Sequence, residues 1–356
     1  MAEPDLMTED GASRHGVTAE ALSRLAAFLA EAARGPVTIA RLGRIRGGAI
    51  QENWRLDIAV GSGPLSGRHK LVLRLSSLEA LAFSHTRAEE FAILRAAYDA
   101  GVAVPEPLWL GEDPGVLGRP FLVMRRLRGT AIGRKVVRDA RFAPVRQALA
   151  ERLGEELGKI HRIRPGHPGL TFLGPAPDDP AAEAIAHYRA ALDSDAEAHP
   201  VLEWGLRWAE RRAPRASGVV LCHRDYRTGN YLVDAGRRRD GLTGILDWEF
   251  AGWGAPEEDL AWFCAKCWRF GVVDREAGGI AERAPFYRGY RRVSGREIDP
   301  AAIHFWEVIA HVRWAVIALH QTDRHLSGAE PSLELAAIGR RPPEMELEVL
   351  RLTGAL

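Results

Sequence analysis

The stretch from Leu221 to Asp247, LCHRDYRTGNYLVDAGRRRDGLTGILD, carries the most informative pattern in the chain. It begins as a short apolar strand and continues into a polar loop that holds His223, Asp225 and Asn230. Two further short strands follow, separated by a turn rich in Gly, Arg and Asp, and the second of them ends on Asp247. Asp and Asn often bond to the backbone of a turn, but that habit does not explain these four polar residues in this order beside a β-hairpin.

These four side chains have the chemistry that phosphoryl transfer needs. A carboxylate orients the attacking hydroxyl group and accepts its proton, while an amide oxygen and a second carboxylate hold Mg²⁺ on the phosphates. Their order follows the protein-kinase signature, in which H-R-D-x-x-x-x-N precedes a metal-binding Asp. Only residues 248–254 lie between Asp247 and Ala255-Pro256-Glu257, which leaves no room for an activation segment. The acceptor is therefore expected to be a small molecule and not a protein.

The chain resembles the aminoglycoside phosphotransferase-like, or choline kinase-like, family of small-molecule kinases. The family pattern H-x-D-x-x-x-x-N corresponds to His223 through Asn230, and the strand that ends in D-W-E corresponds to Asp247-Trp248-Glu249. The resemblance extends to Gly254, Pro256 and Asp259-Leu260-Ala261. The segments GGAIQENW and LELAAIGRR also resemble a subgroup described as acyl-CoA-dehydrogenase-associated phosphotransferases.

The resemblance implies an α+β, two-lobed protein-kinase-like fold, with a small β-rich N-lobe and a larger helical C-lobe. We expect a flexible tail at residues 1–16, a nucleotide-binding N-lobe at 17–124, a hinge at 125–128, and a catalytic and acceptor-binding C-lobe at 129–356. Hydrophobic periodicity and turn signals agree with this division. They predict strands near 37–45, 54–60, 70–75 and 119–124, and helices near 17–34, 86–100, 144–163, 181–193, 199–212, 256–270, 280–292, 300–325 and 343–352.

In the N-lobe the resemblance implies a site for ATP. Gly47 and Gly48 lie in a turn between two strands, where backbone N–H groups can cover phosphates. The polar Ser-Asn pair that is usual in this loop is replaced by Ile50 and Gln51. Arg74 takes the place of the Lys that commonly contacts the α- and β-phosphates, and it would bind them as a bidentate fork.

The same resemblance assigns partners around that basic residue and at the hinge. Glu90 is expected to pair with Arg74, with Glu89 as the alternative on the same helix. Met124 would border the adenine base, and Arg126 would lie in the hinge, where the backbone recognises the base.

For the C-lobe the resemblance implies a role for each polar residue of the central stretch. Asp225 and His223 form the catalytic pair: Asp225 orients the acceptor hydroxyl or takes its proton, and His223 supports the loop. Asn230 and Asp247 are expected to hold Mg²⁺. Glu249 is expected either to bind a second metal ion or to support the metal site through a hydrogen bond to one of its ligands. Arg224 receives no role.

The charge of the helices after Asp247 bears on the acceptor. Residues 261–325 contain ten Lys and Arg against seven Asp and Glu, and His304, His311 and His325 recur at multiples of seven on one helix. A polycationic aminoglycoside would favour an acidic wall, so we expect a neutral or anionic acceptor such as a hydroxy acid or a hydroxyacyl compound. A solvated helix face would produce the same count.

Composition excludes several other classes of protein. The net charge of +1 gives no reason to expect nucleic acid or an acidic membrane as a partner. We find no apolar run that approaches a membrane span and no signal peptide. Three cysteines do not form a disulfide framework, and Cys264 and Cys267 lie in a helical pattern without further metal-ligand spacing, so a cytoplasmic protein without zinc or redox chemistry is expected.

Two alternative functions stay open at this level. One is an antibiotic phosphotransferase that acts on an aminoglycoside or a macrolide. The other is a nucleotide-binding pseudokinase, which the Arg at position 74 and the altered loop at 50–51 favour, and which the intact Asp225, Asn230 and Asp247 oppose.

Overall fold

The computed structural model describes residues 18–45, 52–76, 84–236 and 239–356. The predicted phosphate-covering residues Gly47 and Gly48 lie outside this described part, as do Ile50 and Gln51. The chain divides into two compact units, one formed by Met1–Arg128 with Trp248–Phe250 and the other by Gly129–Asp247 with Ala251–Leu356.

The first unit is built on a five-stranded antiparallel sheet. Its strands in spatial order are β1, β2, β3, β5 and β4. Their bounds are Val37–Arg44 for β1, Glu52–Val60 for β2, Gly67–Leu75 for β3, Pro107–Gly111 for β4 and Phe121–Arg125 for β5. Helices α1 (Ala19–Ala33), α2 (Arg87–Asp99) and the single turn α3 (Pro114–Leu117) complete the unit.

Alternation along β2 explains how the sheet meets its core. Trp54, Leu56, Ile58 and Val60 are buried at every second position, so one face of the strand is apolar. Helix α1 packs on this face through Leu25 and Leu29, which belong to the same hydrophobic cluster. The first unit is therefore a small sheet with a helix across it, as the period-2 and helical patterns predicted.

The second unit is mainly helical. Its helices are α4 (Gly133–Arg138), α5 (Arg146–Ile160), α6 (Pro180–Asp193), α7 (Pro200–Glu210), α8 (Pro256–Cys264), α9 (Arg283–Ser294), α10 (Pro300–Leu326), α11 (Leu333–Ile338) and α12 (Pro342–Thr353). Three short 3₁₀ turns lie at Ala140–Phe142, Pro168–Leu173 and Lys266–Trp268. Together the two units confirm the predicted α+β class, with a small β-rich first part and a larger helical second part.

Helix α10 corrects one expectation from the sequence. By length and composition alone it is apolar enough to cross a membrane, with a mean hydropathy of 1.3 over its most apolar window. In the structure 78% of that window is buried. The helix lies in the main hydrophobic cluster of the second unit, where Phe305, Val312 and Ala315 contribute to the core. Burial on nearly every side explains why its sequence is so apolar.

Helices α5 and α9 approach each other unusually closely because of two glycines. A Cβ atom on Gly154 would lie 2.0 Å from the carbonyl oxygen of Phe286, and one on Gly289 would lie 1.9 Å from that of Glu151. Neither Gly154 nor Gly289 could carry even a methyl group unless a helix backbone moved. This close packing matters for the site, since His161 follows the end of α5 and Tyr290 lies on α9.

Two small antiparallel ladders hold the central stretch. Strand β6 (Val220–Cys222) pairs with β9 (Gly252–Gly254), and β7 (Tyr231–Val233) pairs with β8 (Leu242–Ile245). The polar loop that carries Asp225 therefore runs from the end of β6 to the start of β7.

Candidate active site

Alternate residues of the loop between β6 and β7 face opposite ways. The hydroxyl of Tyr226 donates to the carbonyl of Leu153 at 2.7 Å, and the hydroxyl of Thr228 donates to the carbonyl of Gly278 at 2.7 Å. These two buried side chains anchor the loop to the helical core. Asp225 and Arg227 point to the other side, where they bond to each other.

The carboxylate of Asp225 accepts hydrogen bonds on both of its oxygens. The indole Nε1 of Trp262 donates to Oδ1 at 3.0 Å, and Nε of Arg227 donates to Oδ1 and Oδ2 at 3.0 and 3.1 Å. The amide of Asn230 donates to Oδ2. The residue is only 8% exposed, so the orientation of its side chain is set by these donors and not by water.

Asn230 is oriented by its bond to the same loop. Its Nδ2 donates to the backbone carbonyl of Asp225 at 3.0 Å as well as to the carboxylate. Within the described part of the chain, its Oδ1 accepts no hydrogen bond. The amide oxygen is thus the free end of the group, which is the atom a hard cation would bind.

Asp247 lies at the same end of the β7–β8 ladder as Asn230. Tyr231 pairs with Ile245, and the N–H of Leu246 donates to the carbonyl of Asn230 at 2.8 Å. Asp247 follows directly and adopts a left-handed backbone with φ of +69°. Non-glycine residues rarely adopt this conformation, and such strain concentrates at functional positions. An amide oxygen and a carboxylate at one strand end match the donor set that Mg²⁺ prefers.

His223 bonds to two segments of this site, the loop of Asp225 and the strand end that precedes Asp247. Its Nδ1 accepts the N–H of Asp225 at 3.2 Å, so its Nε2 carries the proton and donates to the carbonyl of Leu246 at 2.9 Å. The ring is fully buried, and burial lowers the pKa of His223, which keeps the imidazole neutral. The geometry is that of a support for the loop, because neither ring nitrogen is left for a substrate.

Asp259 supports the entrance of the loop, a role that sequence reasoning missed. Its Oδ2 accepts the N–H of His223 at 2.7 Å and its Oδ1 accepts the N–H of Arg224 at 2.8 Å. His161 contacts Oδ2 through Nε2 at 3.1 Å. Burial alone would raise the pKa of Asp259, but the bonds from His161 and from the loop backbone lower it on balance. The carboxylate therefore stays ionised inside the core.

His161, Cys222 and Asp259 lie close enough together to suggest a metal site. Each of their ligand atoms is already used, since Nδ1 of His161 meets the hydroxyl of Tyr290 at 3.0 Å and the thiol of Cys222 donates to the carbonyl of Ala255 at 3.2 Å. Burial raises the pKa of Cys222, which keeps it a thiol. This cluster is a hydrogen-bonded core and not a metal centre.

In the first unit, Arg74 and Glu90 lie together as expected. Nη1 of Arg74 is 3.2 Å from Oε1 of Glu90, and both side chains are buried. Arg87 contacts the other oxygen of Glu90 and donates to the carbonyl of Leu75 at 3.1 Å. Glu89, the alternative partner, instead closes a capping box with Thr86 at the start of α2. Glu90 is thus the residue that holds Arg74 in place.

The predicted base and hinge residues occupy the end of β5. Met124 pairs with Val72 of β3, and the strand continues to Arg125. Arg126 follows, with its guanidinium 2.9 Å from Asp57 and its N–H bonded to the carbonyl of Lys70. Their contact with a nucleotide base stays a prediction.

Glu249 belongs to the first unit by its contacts, whereas Asp247 belongs to the second. Glu249 is buried, and its carbonyl accepts the N–H of His85 at 3.0 Å. Its proposed role at a metal also stays a prediction.

Most of the basic residues after Asp247 are neutralised in place. Arg283 pairs with Glu276 and Glu307, Arg288 and Arg292 pair with Glu151, Lys266 pairs with Glu348, and Arg324 pairs with Glu330. The three histidines of α10 that are spaced at multiples of seven also bond or pack locally. Nδ1 of His311 bonds to the carbonyl of Glu307, His304 packs against Trp208, and His325 accepts the N–H of Ser332. Their spacing therefore reflects packing and not a common binding face.

Two arginines lie close together beside the loop of Asp225. Arg313 and Arg224 share Glu258, at 3.3 and 3.6 Å, and the guanidinium of Arg313 lies 4.5 Å above the ring of Trp262. Burial, together with Arg313, Arg224 and His320, lowers the pKa of His187. The indole of Trp262 bonds in turn to Asp225, so these guanidinium groups lie next to the partner of that carboxylate.

A model of the phosphotransferase enzyme family matches residues 41–296, which include both the Arg74–Glu90 pair and the loop of Asp225. The chain belongs to this family. The match confirms the predicted resemblance to this family. Kinases of the family use ATP or GTP together with a metal.

Curated relatives of the phosphotransferase domain are longer proteins. Acyl-CoA dehydrogenase family member 10 of Mus musculus is 27% identical over 207 residues, which is 56% of this chain and 18% of the relative. Acyl-CoA dehydrogenase family member 11 of Pongo abelii is 24% identical over 289 residues, or 76% of this chain and 36% of the relative. The chain thus spans about a fifth to a third of the proteins it matches.

Solved structures of similar fold include kinases for two kinds of acceptor. A putative aminoglycoside phosphotransferase from Ralstonia eutropha has a TM-score of 0.74 at 20% identity and covers 94% of this chain and 98% of its own. A choline/ethanolamine kinase family protein from Mesorhizobium loti has a TM-score of 0.52 at 20% identity, with 93% and 94% covered. At this identity the likeness shows the fold alone, and it confirms the predicted kinase-like architecture.

Proposed function

We propose that this phosphotransferase moves the γ-phosphoryl group of ATP, bound with Mg²⁺, to a hydroxyl group of a small neutral or anionic molecule. The proposal depends above all on the bond between Asp225 and Asn230, which orients a buried carboxylate and leaves the amide oxygen of Asn230 without a hydrogen-bond donor among the described residues. A turn with a purely structural role would not need the side chains of Asp225 and Asn230 to bond to each other.

Asp225 orients the acceptor and receives its proton. The hydroxyl oxygen forms a bond to the γ-phosphorus while the bond from that phosphorus to the β-phosphate oxygen breaks, and ADP carries away the electron pair. The hydroxyl proton passes to a carboxylate oxygen of Asp225. Trp262 and Arg227 keep these oxygens in place during the transfer.

Asn230 and Asp247 are the residues that would hold Mg²⁺, because they supply an amide oxygen and a carboxylate at one strand end. When bound, the metal neutralises charge on the phosphates. His223 links the backbone of Asp225 to that of Leu246, the residue before Asp247, since it bonds to the N–H of Asp225 and to the carbonyl of Leu246.

Arg74 supplies the cation for the α- and β-phosphates. The carboxylate of Glu90 bonds to it at 3.2 Å and prevents the long side chain from turning away. Arg87 contacts the other oxygen of that carboxylate, so Glu90 holds two guanidinium groups close together in the first unit. This arrangement supports a polyanionic nucleotide as the second substrate.

The charge near Asp225 supports an acceptor that is not a polycation. Arg313 and Arg224 both lie beside Glu258, and the guanidinium of Arg313 lies over Trp262, whose indole bonds to Asp225. These guanidinium groups would attract an anionic hydroxy acid or hydroxyacyl compound, and they would not attract a polycationic aminoglycoside.

The proposal is tested by transfer from ATP to a panel of acceptors in the presence of Mg²⁺. The panel contains hydroxy acids, hydroxyacyl-CoAs, sugars, choline-like alcohols and aminoglycosides. Asp225→Asn is the inactive variant. Asp299→Asn is its matched control, since Asp299 caps α10 through the N–H of Ala301, a task that Asn performs equally well.

Transfer to an anionic or neutral acceptor that Asp225→Asn abolishes, and Asp299→Asn retains, would support the proposal in full. Transfer to aminoglycosides alone would refute the assignment of the acceptor. Activity retained by Asp225→Asn would refute the role of the carboxylate, and nucleotide binding without transfer to any member of the panel would count against the proposed reaction.

A further inference from the structure

Arg227 lies on the same side of the loop as the catalytic carboxylate. The flanking residues Tyr226 and Thr228 are directed into the core by their bonds to Leu153 and Gly278. Arg227 lies between these two anchored residues, and its side chain faces the opposite way, towards Asp225, to which its Nε bonds.

The guanidinium of Arg227 is held on three sides. Its Nε bonds to both oxygens of Asp225, and its central carbon lies 4.4 Å above the ring of Trp268. Its Nη1 lies over Gly229, where a Cβ atom would be only 2.8 Å away. Gly229 has a φ of +117°, a conformation that other residues avoid, so the glycine both makes the turn and leaves space for the arginine.

The carboxylate of Asp225 is the hydrogen-bond acceptor of Arg227. Among the described residues, no other side chain or carbonyl accepts a hydrogen bond from it. The neighbouring Arg224 differs, because it bonds to the carbonyl of Trp253 and lies beside Glu258, which are structural partners. An arginine whose single polar partner is the catalytic carboxylate has no evident task in holding the fold.

Asp225, Trp262, Trp268 and Arg227 form a closed ring of contacts. The indole of Trp262 bonds to Asp225, and the rings of Trp262 and Trp268 pack edge to face with their centroids 5.2 Å apart. Arg227 stacks on Trp268 and bonds to the carboxylate of Asp225, which closes the ring. Trp262 holds one oxygen and Asn230 holds the other, while Arg227 spans both. Arg227 is the one of these three donors that bonds to both oxygens, so it restrains rotation of the carboxylate plane together with Trp262 and Asn230.

We propose that Arg227 is a positioning residue for the phosphoryl transfer: it fixes the plane of the Asp225 carboxylate towards the acceptor hydroxyl. The inference rests on the proposed function of Asp225. The single Nε–H of Arg227, shared between the two carboxylate oxygens, and the stacking of its guanidinium on Trp268 make the orientation specific to arginine, and a lysine ammonium would not reproduce it.

The variants Arg227→Gln and Arg227→Lys test this role. The matched control is Arg212→Gln, because Arg212 also stacks on a tryptophan, 4.9 Å above the ring of Trp208, away from the loop. Three quantities are measured for each: kcat for transfer to water and to the acceptor found in the panel, the Kd for the nucleotide, and the temperature of unfolding. Arg227→Ala is also assayed with added guanidinium ion.

We expect both Arg227 variants to lose about 10²-fold in kcat, the scale set by a misplaced catalytic group. Nucleotide Kd and unfolding temperature should stay at the values of the Arg212→Gln control. Guanidinium should restore part of the activity of Arg227→Ala and none of that of Asp225→Asn.

The outcomes separate this inference from the function on which it rests. If Asp225→Asn is inactive but Arg227→Gln retains wild-type kcat, the inference is wrong and the proposed function stands. If Asp225→Asn is active, the proposed function is wrong. If Arg227→Gln and Arg227→Lys lose nucleotide binding and stability together with activity, and guanidinium restores nothing, Arg227 is a structural residue and the inference fails.

Discussion

Replacing Asp259 by Asn should destabilise the protein far more than the small chemical change suggests. Both carboxylate oxygens are used by buried backbone N–H groups, one from His223 and one from Arg224. Asn has a single oxygen, so one of these N–H groups must face the new NH₂ group. The better orientation keeps the oxygen on His223 and His161, and leaves the N–H of Arg224 opposed to a donor.

The loss can be estimated from that geometry. Two buried donors, the N–H of Arg224 and the new amide of the Asp259→Asn variant, are left without an acceptor, at about 1–3 kcal/mol each. Weaker bonds to a neutral oxygen add to this, so we expect the free energy of unfolding to fall by about 3–5 kcal/mol, the range found when a buried charged partner is removed.

Asp179→Asn is the matched control for equilibrium urea unfolding followed by tryptophan fluorescence. Asp179 accepts the N–H groups of Ala181 and Ala182 on the same oxygen, at the exposed start of α6. One amide oxygen can serve both, so this variant should change the free energy of unfolding by less than about 1 kcal/mol. Equal losses from Asp259→Asn and Asp179→Asn would refute the view that a two-oxygen clamp holds the loop.

A pH series adds an independent check. The pKa of Asp259 is lowered in the folded state from its usual 3.8, so the carboxylate stabilises the fold above that pH. The contribution is lost as the pH falls through the folded-state pKa. The difference in stability between wild type and Asp259→Asn should therefore be constant near neutral pH and shrink in strong acid. A difference that instead disappears above pH 6 would contradict this assignment.

Two further predictions concern nucleotide binding and pH. Glu90→Gln should weaken nucleotide binding about tenfold, or about 1.4 kcal/mol, because Arg74 loses the negative charge that holds it. The control is Glu89→Gln, which keeps the capping box, and this variant should bind the nucleotide normally in the same titration. Burial lowers the pKa of His311 below its usual 6.5, so the fold loses stability as the pH falls below that value, by at most about 1.4 kcal/mol per pH unit. His311→Gln should flatten the dependence of the urea midpoint on pH, and an unchanged dependence in this variant would refute the assignment.

Much of the architecture follows from local patterns. The helices near 181–193 and 300–325 appear as Pro180–Asp193 and Pro300–Leu326, because a buried stripe leaves its period in the sequence. The short helices Gly133–Arg138 and Leu333–Ile338 escaped prediction, since six residues are too few to show a period. The helix predicted near 256–270 is interrupted at Ala265, where the backbone becomes extended before a 3₁₀ turn.

The sequence by itself determined the order of His223, Asp225, Asn230 and Asp247, and with it the class of reaction. These residues lie within one short stretch, and the chemistry of phosphoryl transfer restricts which side chains can stand there. The β-rich first unit and the helical second unit were predictable for the same reason, since hydrophobic periodicity records which face of each element is buried.

Only the tertiary structure decided which residues hold the catalytic ones in place. Glu90 and not Glu89 faces Arg74, Asp259 clamps a loop 35 residues away in the chain, and the same helix brings Trp262 to Asp225. Such bonds depend on how elements pack, as when two glycines let α5 and α9 meet and bring His161 to Tyr290. A periodic pattern records that a side chain is buried, but its hydrogen-bond partner is set by the three-dimensional arrangement alone.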